Sequence, residues 1–372
     1  MSNALYKTYV STDVTILAAP FGFGPLGKAL AIAHELEERG ITVKILGDHT
    51  AQKIISRSRI IGGMYEYRKP LDLKDLKSRI VLSCLDVSTP IIKSDVPLIL
   101  VDSLFWLRGM WERSFEYNAD YVLAQRFFVD APQDAQKTVA ARLHMVDAIL
   151  PASSLDPKLN NNGELIVLYP GGMRSPYLGL DYQEKYLSWG VGVVSESMKA
   201  TGIDPSNFVV ITPPQLLGTT VVGEIKTFGG RVETCVTDLG YLLRDARCLV
   251  LAPGIEIMLE ACSMGKIPHF IPAFNGSHIP QLMAYREARI GKEVCPSYAD
   301  ELRQLEVNTD NLSRLSVDVE RRNFELLTMP AYQNEAISNL ITFLKTKESL
   351  KNCYPLGKYG AKQVVNFVLD KI

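Results

Sequence analysis

Short apolar runs alternate along the chain with longer segments in which apolar residues recur at helical spacing. VTILAAP (14–20) reads as a buried strand, FGFGPLG (21–27) as a glycine-rich turn and KALAIAHELEERG (28–40) as a helix. Ala29, Ile32, Ala33 and Leu36 fall on one face of that helix, and Gly40 stops it. ITVKILG (41–47) is the next strand, ending at Asp48, an acid placed where a dinucleotide-binding unit would carry one. RIVLSCLD (79–86), PLILVDS (97–103) and VDAILPAS (146–153) continue the series. Uninterrupted Val, Ile and Leu, in place of period-two alternation, predict parallel strands covered on both faces.

The polar stretch SLDPKLNNNGE (154–164) reads as a linker or surface loop. A second strand–turn–helix series follows: ELIVLYP (164–170), the turn GGMRSPY, and a long helix over 182–201. FVVITPP (208–214), GRVETCV (230–236) and CLVLAPG (248–254) are further strands, EIMLEACSMG (256–265) a short helix and IPHFIPA another strand. From 311 the pattern is largely helical, broken at 354–360. The expectation is an α/β protein of two halves, residues 1–155 with the last helix, 361–372, and residues 164–350.

Composition changes this picture mainly by exclusion. The 372 residues are 47% hydrophobic and 22% charged, which suits folded domains with their own cores. Forty basic against 41 acidic residues leave a net charge of −1, so nothing favours a nucleic-acid partner. Six singly spaced cysteines suggest neither a zinc site nor a disulfide framework, and fit a reducing cytoplasm. No leader pattern is seen at the N-terminus, and no apolar run approaches the ~20 residues of a membrane span.

Three segments carry candidate chemistry. In the first, Gly22, Gly24 and Gly27 precede a helix and would let an anion approach the backbone; a plain turn is the alternative. In the second, Gly171 and Gly172 could admit a diphosphate that Arg174 pairs, or could simply cap a helix. In the third, Pro253-Gly254 runs straight into a helix on which Glu256 and Glu260 share a face and could bind ribose hydroxyls; two solvated acids are the alternative.

The third segment resembles the donor-binding signature of GT-B glycosyltransferases, including the family that adds N-acetylglucosamine to lipid-linked muropeptide. The match runs through Pro253-Gly254, Glu260, Gly265-Lys266-Ile267-Pro268, Pro272 and Gln281. The resemblance implies two Rossmann-like α/β domains facing each other across a cleft, with nucleotide-base contacts around Val236 to Leu239. It implies a final helix that crosses back to the first domain. Two departures stand out: Pro25 occupies the place of the usual histidine base, and Pro253 replaces the usual serine. FGFGPLGK and VDSLFWL (101–107) also resemble the cytosylglucuronate synthase group of nucleoside-antibiotic pathways.

The expected function is inverting transfer of a sugar from a nucleoside diphosphate, with uridine inferred from family frequency, to a small acceptor. No metal is expected, because Asp318-Val319-Glu320 lies in a helical stretch and no other DxD stands out. Helix N-termini and Arg174 would stabilise the leaving group, and no cofactor beyond the sugar nucleotide is implied. Asp102 is the first choice for the base and Asp86 the second, since both end strands; either could instead cap a helix. Phe23, Phe105 and Trp106 are the candidate acceptor contacts, with core packing as the alternative for the last two. Two other readings stay open. One is a sugar-nucleotide 2-epimerase, for which only His278 lies in a predicted site loop; the other is a non-catalytic binding or activator subunit, a homodimer being conceivable in any case.

Overall fold

A computed structural model describes residues 11–20, 24–55, 60–64, 69–84, 91–92, 95–107, 119–155, 163–173, 178–234, 239–305, 312–346 and 356–372. The chain divides into two compact units, Met1–Ala152 with Leu356–Ile372, and Ser153–Pro355.

The first unit is built on a parallel sheet of β1 (Thr12–Ala18), β2 (Val43–Gly47), β3 (Ile61–Met64), β4 (Ser78–Cys84), β5 (Leu98–Asp102), β6 (Tyr121–Gln125) and β7 (Leu143–Val146). Its spatial order is β3-β2-β1-β4-β5-β6-β7. The central strands are buried on both faces, as their continuous apolar runs require. Helix α1 (Gly24–Glu38) lays Ala29, Ile32, Ala33 and Leu36 into one core layer, which Val364, Val365 and Val368 of the last helix share. Gly40 ends α1 in the left-handed conformation, with Ile41 N–H on the Leu36 carbonyl, the Schellman pattern.

Two expectations are corrected here. α1 begins at Gly24, so Gly24 and Gly27 belong to its first turns and not to a preceding loop. The expected strand at 146–153 is displaced: β7 ends at Val146, and Ala148, Ile149 and Leu150 are buried as loop. Two of their backbone groups are satisfied by neighbours: the Gln125 side chain accepts Ile149 N–H, and the Ala148 carbonyl accepts Gly360 N–H. Burial alone therefore imitated a strand pattern.

The second unit repeats the plan with β8 (Leu165–Tyr169), β9 (Phe208–Thr212), β10 (Arg231–Thr234), β11 (Ala246–Leu251), β12 (Pro268–Phe270) and β13 (Lys292–Glu293). All neighbours pair in parallel, in the order β10-β9-β8-β11-β12-β13. This is the doubly wound arrangement whose direction of winding reverses between its first and fourth strands. The helices that matter below are α2 (Leu180–Thr201), α3 (Ile255–Ser263), α4 (His278–Glu287) and α5 (Leu312–Leu326). Among the described residues, no helix is long and apolar enough to cross a membrane.

Candidate functional site

In a doubly wound sheet, the two strands at the reversal send their following loops to opposite faces, and a crevice opens beyond their C-terminal ends. In the second unit those strands are β8 and β11. Tyr169 stands opposite Leu251, and Ala252 N–H donates to the Tyr169 carbonyl at 2.9 Å. The next residues are Pro170-Gly171-Gly172 on one side and Pro253-Gly254 on the other. Two of the three glycine-bearing segments singled out in the sequence therefore meet at one crevice.

Both segments are built for close approach. Gly171 has φ +81°, and Met173 lies in the left-handed region at φ 48°. The Gly172 carbonyl accepts from the Gln215 side chain at 3.4 Å, and Gln215 in turn donates to Gln183 on α2 at 3.0 Å. Neither glutamine stood out in the sequence, because only the tertiary fold brings them to residue 172. Across the crevice, Gly254 is the N-cap of α3 and has no side chain to cap it. The first-turn N–H groups of this nine-residue helix thus carry the helix's partial positive charge at the switch point.

Glu256 and Glu260 are half-buried on α3, not solvated. Glu260 accepts a hydrogen bond from the Ser154 hydroxyl at 3.3 Å, and Ser263 donates to the Ser154 carbonyl at 3.3 Å, fastening the start of the linker to α3. Leu239 is buried just before the short helix Gly240–Asp245. Gln281 is buried in the first turn of α4, with an Oε1 that has no hydrogen-bond partner among the described residues. His278 opens the same helix. Its Nδ1 accepts Phe274 N–H at 3.2 Å, and burial pushes its pKa down to about 3. It is therefore uncharged at neutral pH and carries its proton on Nε2.

In the first unit, Asp102 is fully buried at the end of β5, and its Oδ1 accepts Leu104 N–H at 2.8 Å. Phe105 belongs to the core, while Trp106 stacks on Phe127 with ring centroids 4.3 Å apart. The packing role foreseen for these aromatics is thus occupied. Ser103, Trp106 and Gln125, at the ends of β5 and β6, each bury a polar atom with no hydrogen-bond partner among the described residues. Asp48 accepts Ala51 N–H, the job of a helix cap. Gly22, Phe23, Asp86, Arg174 and Val236 lie outside the described residues. No group of three His, Cys, Asp or Glu able to hold a metal is found among the described residues.

The overall architecture has solved counterparts. Os79 from O. sativa, in complex with UDP, superposes with a TM-score of 0.52 at 11% identity, covering 96% of this chain and 100% of that one. UGT89C1 from Arabidopsis thaliana, complexed with quercetin, gives 0.50 at 14% identity, covering 97% and 100%.

The chain has the GT-B fold.

At such identities the likeness extends to the fold alone. Comparison with protein-family models and with curated proteins returns no match. Within the GT-B frame, the β8–β11 crevice lies in the second Rossmann-like unit, and the buried polar atoms of Ser103, Trp106 and Gln125 lie in the first.

Proposed function

We propose that the protein is a nucleotide-sugar-dependent glycosyltransferase, inverting and independent of metal, with a UDP-linked donor held by the second unit. The observation that carries this reading is the crevice between β8 and β11. There a left-handed glycine turn and an uncapped helix N-terminus converge within one sheet. Main-chain N–H groups are what a diphosphate needs, and they strengthen as the leaving group gains charge. Arg174 would add a bidentate cation to the same group. Glu260 on α3, with Glu256 beside it, would take the ribose hydroxyls, and the Gln281 Oε1 would take a hydroxyl of the sugar. The segment from Val236 to Leu239 would hold the base.

Chemically, the acceptor atom attacks the anomeric carbon, the bond to the diphosphate breaks, and a carboxylate of the first unit takes the acceptor's proton. Asp102 and Asp86 are the carboxylates proposed for that step. The buried polar atoms of Ser103, Trp106 and Gln125, unpartnered among the described residues, would suit an acceptor rich in carbonyl oxygen or ring nitrogen. A cytosine-type base with UDP-glucuronate as donor satisfies that chemistry. This finer choice rests on the sequence resemblance of FGFGPLGK and VDSLFWL, and the fold comparisons do not distinguish it. For the 2-epimerase reading, the one loop histidine, His278, already has its Nδ1 engaged by Phe274 N–H.

The test combines binding with turnover. UDP should raise the melting temperature and NAD should not. UDP-sugars incubated with nucleobase acceptors, with and without EDTA, should release UDP and yield a glycosylated product. Asp102→Asn and Asp86→Asn assign the base by which one abolishes turnover while leaving UDP affinity intact. Stabilisation by NAD in place of UDP would defeat the proposal. Sugar interconversion without an acceptor would favour the epimerase, and binding without turnover the activator subunit.

A further inference from the structure

We infer that Asn323, far along the chain on α5, is a positioning residue that fixes how the donor's sugar is read. This inference rests on the donor-site reading of the second unit. The segment joining β12 to α4 presents three consecutive carbonyls, those of Pro272, Ala273 and Phe274, and each accepts a hydrogen bond from a side chain of a distant element. Tyr186 Oη on α2 donates to Pro272, Asn323 Nδ2 to Ala273 at 2.9 Å, and Tyr182 Oη on α2 to Phe274 at 2.6 Å. The donors are themselves linked: Asn323 Nδ2 also donates to Tyr182 Oη, and Tyr298 Oη donates to Asn323 Oδ1.

All four side chains are fully buried. The order of donation is forced. Tyr182 spends its proton on Phe274, so it can only accept from Asn323. Both amide protons of Asn323 are then committed, and its oxygen takes the Tyr298 hydroxyl. A satisfied buried network of this kind admits one arrangement, because any change of partner strands a buried polar group without a hydrogen bond. The orientation of three successive peptide planes is thus imposed by α2 and α5.

Those planes lead directly to His278, whose Nδ1 receives Phe274 N–H, and one turn later to Gln281, with an Oε1 unpartnered among the described residues. Helix α2 also holds Gly172 at the β8–β11 crevice, through Gln183 and Gln215, but the hydrogen bonds of this network end on the carbonyls of residues 272–274. Loss of an Asn323 bond therefore bears on the sugar end of the donor and leaves the Gln183–Gln215–Gly172 contact in place. Since a displacement of about 1 Å can cost on the order of 100-fold in function, a clamp on this segment is a device for selectivity.

The test is calorimetric binding of UDP, UDP-glucose, UDP-galactose, UDP-N-acetylglucosamine and UDP-glucuronate to the full-length protein. Wild type should bind at least one sugar nucleotide tighter than UDP and discriminate among the four. Asn323→Asp keeps the acceptor for Tyr298 but, as a carboxylate, lacks both donors. It should leave the Kd for UDP within 2-fold of wild type, weaken the preferred UDP-sugar 10-fold or more, and flatten the discrimination. Tyr182→Phe and Tyr298→Phe keep the rings and remove one hydroxyl each. They should show the same selective loss, and they keep the inference testable if Asn323→Asp does not fold. Folded variants that retain the wild-type preference overturn the role of Asn323 while leaving the donor site standing. A wild type that binds no UDP overturns both, and one that binds every UDP-sugar no tighter than UDP overturns this inference alone.

Discussion

Acid should loosen the second unit through one histidine. His278 titrates near 3 in the folded protein, against an ordinary value near 6.5, because burial disfavours the imidazolium and its Nδ1 is committed to Phe274 N–H. The unfolded chain therefore binds a proton that the native state refuses throughout the window between those values. Stability is fully present above about pH 6.5, falls as pH drops, and stops falling from this source below about 3. With these two values, the loss between pH 7 and pH 4.5 is about 2.5 kcal/mol, at a limiting slope of about 1.4 kcal/mol per pH unit. The assay is urea unfolding at half-unit steps of pH, followed by intrinsic fluorescence, for wild type and His278→Asn. Asparagine can still accept the Phe274 N–H but does not titrate, so the difference between the two curves isolates this group from every other carboxylate and histidine. NMR titration of the His278 ring provides the direct check. A difference curve that is flat between pH 7 and 4.5, or a His278 resonance that titrates near 6.5, would refute the reasoning.

Four further outcomes are expected. Gly171→Ala should cost about 1–2 kcal/mol by denaturation, since its φ of +81° is unfavourable for any Cβ although, among the described residues, only Ala252 lies near, at 3.7 Å; Gly27→Ala within α1, where a Cβ would meet none of the described residues, should stabilise by about 0.5–1 kcal/mol. Glu260→Ala should raise the Kd for UDP at least about 10-fold by calorimetry, the loss of hydrogen bonds to a charged group, while an unchanged Kd would remove Glu260 from the site. Burial pushes the thiols of Cys84 and Cys248 up to about 12, so mass spectrometry should find both unlabelled by maleimide at pH 8 until denaturant is added.

The meeting of two glycine-bearing junctions beyond β8 and β11 was largely legible because its ingredients are local. Two strand-to-helix junctions rich in glycine, and two glutamates spaced one turn apart, are short-range patterns, and the doubly wound plan brings the junctions after its first and fourth strands together. The aromatic pair after Asp102 was less legible. A Phe-Trp sequence reads the same whether it lines a pocket or fills a core, and Phe105 sits in the core. The misplaced strand at 146–153 has the same origin: apolar residues mark burial, and Ala148 to Leu150 are buried without pairing to a neighbouring strand.

What the sequence by itself determined was the alternation of buried strands and amphipathic helices, the stop at Gly40, and the two glycine-bearing junctions after β8 and β11. Each of these follows from the conformational preferences of neighbouring residues, which act over a few positions. Only the tertiary structure decided that Gln215 would hold Gly172, that Ser154 would fasten onto Glu260, and that Asn323 would reach Ala273, 50 residues away. Those pairings have no periodicity. They exist because a buried carbonyl or carboxylate must find a donor wherever packing happens to place one, and packing is a property of the whole unit.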